Sequence, residues 1–241
     1  MSGILIYSRE QAKRNSFAVE KFKEHLDIHL VDECYDGDAD FVINRTNDYK
    51  IAQRFENKGI RVFNPSRLSR LANNKQACYE FMEENGIPVM PVNYTGVPAV
   101  KKIVDGHGGN GVTMITTAEP FEENYVYQKP CDTLGKDLRI WVVGGKIVAS
   151  IMRESHTDFR SNYCLGGTAT VHKLSRDEEQ LAQRVISLVK SDYIGIDFIY
   201  HQGQPIFNEI EDTVGARMIY DKTDIDILKI YCEYIKDYLR K

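Results

Sequence analysis

An aspartate stands in the middle of an apolar run, Ile194-Gly195-Ile196-Asp197-Phe198-Ile199, and the chain then returns through His201-Gln202-Gly203 to Phe207-Asn208-Glu209-Ile210-Glu211-Asp212. A carboxylate among apolar neighbours is costly to bury without a partner. Alternation along a strand puts Glu209 and Glu211 on one face and Ile210 on the other. A hairpin turning at His201-Gln202-Gly203 brings Asp197 beside Glu209. Carboxylates side by side on a sheet repel one another unless a cation lies between them. Unless this face is solvent, the fold must deliver positive charge to it, as a bound ion or as lysine and arginine side chains. Oxygen ligands suit Mg2+, which keeps waters and takes further contacts from substrate phosphates.

The rest of the chain shows where such charge can come from. Four short apolar runs, at 4–7, 28–31, 41–44 and 60–63, alternate with helical patterns over 11–26 and 48–58, the second closed by Gly59. Strands alternating with helices predict a small parallel sheet. Asn44-Arg45-Thr46 falls at the end of its third strand, where ligands of parallel sheets sit. A helix is expected from Lys75 to about Asn85. Strands are expected over 100–104, 112–115 and 125–128, the last stopped by Lys129-Pro130. Two hairpins follow, 137–143 with 146–152 around Gly144-Gly145, and 194–200 with 204–210. Between them lies a helix over 175–190, opened by Ser175 with Glu178 three residues on, a capping box. A last helix is expected over 225–239.

The 241 residues are enough for two small domains, and 42% hydrophobic with 27% charged residues reads as an ordinary globular chain. A net charge of −4 argues against a protein that grips nucleic acid through its phosphates. Met1 to Tyr7 reads as a strand rather than a signal peptide, and no apolar stretch approaches the roughly 20 residues of a membrane helix. Five widely spaced cysteines with no C-x-x-C predict reduced thiols and a cytoplasmic location.

Two further stretches carry chemistry. "VDGHGGNGV" sets Gly106, Gly108, Gly109 and Gly111 between strands, where backbone N–H groups can turn toward an anion. It lacks the closing Lys-Ser or Lys-Thr of a Walker loop and the following helix of a Rossmann fingerprint. With Lys101-Lys102 on the preceding strand it makes a sensible lid over a triphosphate; alone it would be a flexible hairpin tip. Arg139 and Arg153 sit on adjacent hairpin strands, and Arg160 and Asn162 follow in "DFRSN". Aimed into a cleft they would bind phosphate or carboxylate, and scattered on the surface they would do little. The histidines, His107 in the glycine loop included, show no zinc-ligand spacing, and no Ser-His-Asp arrangement is visible.

The stretches "NNK", "KKIVDGHGGNGV", "GKDLRIWVVGGKIVASIMRES", "DFRSN", "GIDFI" and "NEIED" stand in an order that resembles the RimK-like ATP-grasp family, ATP-dependent ligases of the glutamate-ligase type. The resemblance is clearest over 73–212. It implies an α/β N-terminal domain followed by an α+β ATP-grasp core of two lobes: a small domain over 1–72, a lid lobe with the glycine flap over 73–130, and a C-terminal lobe with the metal site over 131–241. It also implies that Lys75 and Lys102 contact ATP phosphates under a flap containing Gly106, Gly108 and Gly109. Gln128, Lys129 and Pro130 would hold the adenine, largely through main-chain groups, and Asp137 would contact the nucleotide. Arg139, Arg160 and Asn162 would face the reacting end, with Asp197, Glu209 and Glu211 holding Mg2+, or Mn2+ in its place.

The activity so implied joins a carboxylate to an amine of an amino acid, peptide or protein tail through an acyl phosphate, releasing ADP and phosphate. No membrane or nucleic-acid partner is expected, and a homo-oligomer is compatible with the sequence. Two departures stand out. Glu211 replaces the asparagine usual in the family's Glu-x-Asn, and Asp212-Thr213-Val214-Gly215-Ala216-Arg217 replaces a Ser-x-Pro-Gly-like turn near the acceptor. Alternatives are an ATP-binding regulatory or degenerate ATP-grasp protein without turnover, and an ATP-grasp kinase.

Overall fold

Alternating strands and helices at the N-terminus build a four-stranded parallel sheet in the order β2-β1-β3-β4. The computed structural model describes residues 1–109, 111–161 and 167–241. The four strands are β1 (Gly3–Ile6), β2 (Ile28–Val31), β3 (Phe41–Asn44) and β4 (Arg61–Phe63). Both faces of the sheet are covered, as parallel sheets require. Ile4, Ile6, Val42 and Val62 pack on Ile51, Ala52 and Phe55 of α3 (Tyr49–Glu56). Leu5, Phe41, Ile43 and Phe63 share a core with Val19 and Phe22 of the N-terminal region and with Tyr231 and Ile235 of the last helix. That core also contains Trp141, Tyr193 and Val214, so the small sheet is welded to the C-terminal half by apolar contact.

The helix expected over 11–26 is two helices, α1 (Arg9–Arg14) and α2 (Ser16–His25). Asn15 separates them: its side-chain amide donates to the Gln11 carbonyl at 2.8 Å, a local bond that competes with helix continuation. Helix α4 (Ser66–Ala72) was not expected, and it precedes α5 (Lys75–Glu84), N-capped by Asn74.

Strands β5 (Ala99–Ile103), β6 (Val112–Ile115) and β7 (Tyr125–Gln128) form a three-stranded antiparallel sheet with β5 central. A five-stranded antiparallel sheet follows, in the order β10-β9-β8-β11-β12. Its strands are β8 (Lys136–Val143), β9 (Lys146–Glu154), β10 (Thr168–Val171), β11 (Tyr193–His201) and β12 (Gln204–Glu211). Edge strand β10 was not expected: its short alternation of Thr and apolar residues is given meaning only by pairing with β9. Helix α6 (Arg176–Leu188) carries the expected capping box. Helix α7 (Arg217–Lys222), also unexpected, leads to α8 (Ile227–Leu239).

Period-two alternation divides the five-stranded sheet. Leu138, Ile140, Val142, Ile194, Ile196, Phe198, Phe207 and Ile210 share one apolar core with α5 and α6. The opposite face carries Asp137, Arg139, Asp197, Glu209 and Glu211, and it looks toward the lid. Among the described residues no helix is long and apolar enough to cross a membrane.

Candidate active site

The charged face is assembled by strand register. Asp197 lies opposite Arg139 on β8 and Glu209 on β12, and Asp137 lies opposite Arg153 on β9. Arg139 Nε donates to Asp197 Oδ1 at 2.8 Å, and its NH2 group donates to Asp197 Oδ2 at 2.6 Å and to Glu211 Oε1 at 2.5 Å. Arg153 forks onto both Asp137 oxygens at 2.5 and 2.6 Å and reaches Asp197 Oδ2 at 2.8 Å. Lys75 Nζ donates to Glu209 Oε1 at 3.0 Å and to the Gly106 carbonyl. The space above Gly195 on β11 is taken by Val214. A Cβ there would stand 2.7 Å from Val214 Cγ2 and within van der Waals reach of Arg139 Cδ.

So the positive charge demanded by the buried hairpin is supplied by side chains, and each of the three grouped carboxylates has a basic partner. Burial pushes the Asp197 carboxyl up, but Arg139 and Arg153 outweigh it and hold it below the usual carboxylate range. For Glu211 burial wins: it lies raised, against the pull of Arg139 and with the neighbouring carboxylates adding to the rise. Burial also lifts the next residue, Asp212, to about 6, against its bonds to Ser69 and Asn73. Asp212 faces away from the set, accepting from Asn73 Nδ2 at 3.1 Å on both oxygens.

The two adjacent lysines of β5 part company by alternation. Lys101 turns outward to Glu119, at 2.7 Å, and Glu122. Lys102 turns inward, buried, donating to Tyr79 Oη and to Asn208 Oδ1, both at 2.9 Å. Burial lowers its ammonium to about 8. Beyond it the chain runs through Gly106, Gly108 and Gly109, the last two at positive φ, where a glycine turns without strain. Arg160 is clamped by Asp158 at 2.7 and 3.0 Å, and its NH1 group reaches the Gly109 carbonyl at 3.3 Å. It therefore touches the flap directly.

One cleft is lined by Lys75, Lys102, Gly106, Gly108, Gly109, Gln128, Lys129, Pro130, Asp137, Arg139, Arg160, Asp197, Glu209 and Glu211. Asn162 lies outside the described residues. At the expected hinge, the Lys129 N–H already donates to the Pro91 carbonyl at 2.9 Å, and the Gln128 side chain donates to the Met90 carbonyl. These two donors are therefore not open to a ligand. The cleft also contains Tyr79 and Asn208, which sequence reasoning passed over; Arg153, read only as an arginine on a hairpin, proves to hold two of the acids. No periodic signal marks Tyr79 apart from the core residues of α5.

A second structural group was equally hidden. The turn after β12 has its carbonyls captured one by one. Asn64 Nδ2 donates to Asp212 O at 2.8 Å, Arg45 donates to Thr213 O and Val214 O at 2.9 and 2.7 Å, and Trp141 Nε1 donates to Gly215 O at 3.0 Å. The ends of strands β3 and β4 thus hold the segment that follows the acids, a use of strand carboxyl ends that the position of Arg45 only hinted at.

Oxygen atoms of Asp197, Glu209 and Glu211 lie within 4.8 Å of one another. An all-oxygen set of this compactness fits Mg2+, with waters and phosphate oxygens completing its shell. Lys75, Lys102 and the glycines of the flap line the same cleft, and the two ammonium groups there suit phosphates.

The sequence model of the RimK-like ATP-grasp domain matches residues 65–235. A protein of Stenotrophomonas maltophilia (strain R551-3) named probable alpha-L-glutamate ligase is 30% identical over 218 residues, 79% of this chain and 74% of that protein. The D-cycloserine synthetase DcsG superposes with a TM-score of 0.76 at 13% identity, over 99% of this chain and 100% of that one. The ATP-grasp ligase PsnB, solved with a phosphomimetic variant of its minimal precursor, Mg and ADP, gives a TM-score of 0.70 at 14% identity over 99% of both chains.

Proposed function

We propose, from the premise that this chain belongs to the RimK-like ATP-grasp family and is an ADP-forming carboxylate–amine ligase, that the cleft between lid and five-stranded sheet carries out both half-reactions. The observation that supports this reading is the convergence of a glycine flap, two inward lysines and a compact set of three carboxylates on one cleft. Lys75 and Lys102 bind and orient the ATP phosphates, and the flap with Arg160 excludes water. Asp197, Glu209 and Glu211 hold Mg2+, which when bound neutralises phosphate charge; Mn2+ offers the same oxygen preference. A substrate carboxylate oxygen attacks the γ-phosphorus, the bond to the ADP oxygen breaks, and an acyl phosphate forms. The amine nitrogen then attacks the acyl carbon and loses a proton, and the acyl C–O bond breaks as phosphate leaves with its electron pair. Arg139, and Arg160 beside it, face the developing oxyanion.

The amine and carboxylate are drawn from amino acids and peptides, with L-glutamate the first to try. A reaction that consumes ATP supports a cytoplasmic location. The test is ADP release from ATP and Mg2+ across a panel of amino acids and peptides, with hydroxylamine added to trap an acyl phosphate. Hydroxamate formation with a carboxylate from the panel is expected. ADP release that yields a stable phosphorylated product and no hydroxamate would assign a kinase. ATP binding without any carboxylate-dependent ADP release would assign a regulatory protein.

A further inference from the structure

Lys102 is held more closely than a phosphate-binding lysine needs to be. Its ammonium is buried, it lies 5.4 Å from the centroid of the Tyr79 ring, and two of its three N–H groups are taken by neutral acceptors on different elements. Tyr79 comes from α5 and is 1% exposed. Its ring rests edge-on against Phe207, with centroids 6.5 Å apart. Asn208 comes from β12, next to Glu209. The chain Tyr79–Lys102–Asn208 therefore links helix α5 to the floor of the site through the strand lysine.

An ammonium is tetrahedral, so fixing two N–H directions fixes the third. We propose that Tyr79 is a positioning residue for the nucleotide phosphates: with Asn208 it orients Lys102 so that the remaining N–H points into the cleft. This rests on the nucleotide-binding reading of that cleft. The two acceptors are uncharged, so they hold the ammonium without neutralising it. A carboxylate in either place would cancel the charge offered to phosphate. An aliphatic residue in place of Tyr79 would leave a buried donor unpaired and free to swing toward Glu209.

The experiment is a double-mutant cycle read by calorimetric titration of AMPPNP with Mg2+ into the full chain. The proteins are wild type, Tyr79→Phe, Lys102→Ala and the double variant. Phe keeps the ring and its contact with Phe207. Tyr79→Phe is expected to weaken AMPPNP binding about tenfold, the scale of one hydrogen bond to a charged group. In the Lys102→Ala background the same change should do nothing further, because the group it positions is gone. A purely structural role would give the same loss in both backgrounds and would overturn the proposal, as would unchanged affinity in Tyr79→Phe. Should Tyr79→Phe not fold, Asn208→Ala in the same cycle removes the other acceptor and is read by the same criteria. A wild-type protein that does not bind AMPPNP overturns the nucleotide reading itself, and this inference with it.

Discussion

The floor of the cleft and its lid are both rich in charge, yet they use it in opposite ways. On the floor, Asp137, Asp197 and Glu211 are locked to Arg139 and Arg153 across adjacent strands, mostly out of water. On the lid, Lys101 pairs with Glu119 and Glu122 at the surface. Buried pairs of this kind add little net stability but are severe to break, because the survivor is left as an uncompensated charge. Surface pairs are weak and replaceable. The difference teaches which charges the fold has committed. The floor is a buried electrostatic template, while the lid lobe meets it through the ion pair of Lys75 with Glu209 and the neutral bond of Lys102 to Asn208.

The largest expected effect separates chemistry from scaffold. Glu209→Gln should abolish Mg2+-dependent ADP formation while leaving the urea midpoint close to wild type, since the Gln amide oxygen can still accept from Lys75, which also keeps the Gly106 carbonyl. Turnover that survives this change would remove Glu209 from the metal site. Asp197→Asn should also stop turnover, but with a loss of stability, because Arg139 and Arg153 both depend on it.

Next comes the contrast in stability. Arg139→Ala should cost about 3–5 kcal/mol in urea unfolding, the scale of breaking a buried ion pair. Lys101→Ala should leave the urea midpoint nearly unchanged. Equal midpoints for the two variants would end the comparison between floor and lid.

Smaller in energy but sharper in meaning is the lysine pair. Lys102→Ala should weaken nucleotide binding far more than Lys101→Ala, as measured by calorimetry with AMPPNP and Mg2+. Equal losses would show that the inward register of Lys102 does not matter for the nucleotide.

The subtlest effect is on acid stability. The Asp197 carboxyl is depressed in the folded protein, so over the acid range the unfolded chain binds more protons than the folded one. Its contribution is present at neutral pH and is lost as the pH falls below about 4. Asp212, raised to about 6, acts in the other sense: its ionisation costs stability, and that cost is relieved as the pH falls toward 6 and below. Urea midpoints of metal-free protein should therefore rise slightly from pH 7 to about 4 and then fall. Asp212→Asn should flatten the first limb and keep the second.

Much of this molecule was legible along the chain. Strand periodicity, the hairpin turns at Gly144-Gly145 and His201-Gln202-Gly203, and the Ser175 capping box are local signals, and the structure contains each of them. The glycine run and the acid hairpin were likewise visible as candidates, because costly residues in unfavourable places announce themselves. What failed locally failed for a local reason, as at Asn15, where a side-chain bond breaks a helix that hydrophobic spacing would continue. Short elements such as α4, α7 and β10 have too few residues for a period to show, and they exist because a neighbour gives them a surface.

By itself, then, the sequence determined that the grouped carboxylates would need cations, that the glycine flap could take an anion, and in what order the pieces run. Only the tertiary structure decided which cations. Arg139 meets Asp197 through the β8–β11 register, and a register shift between β8 and β9 at Trp141 brings Arg153 onto the same face. Tyr79 meets Lys102 from a helix, and Arg45 reaches the turn at Thr213 from a different sheet. Pairing of charges depends on distance and burial, which are properties of contacts far apart in sequence. The residue types carry no record of them until the chain has packed.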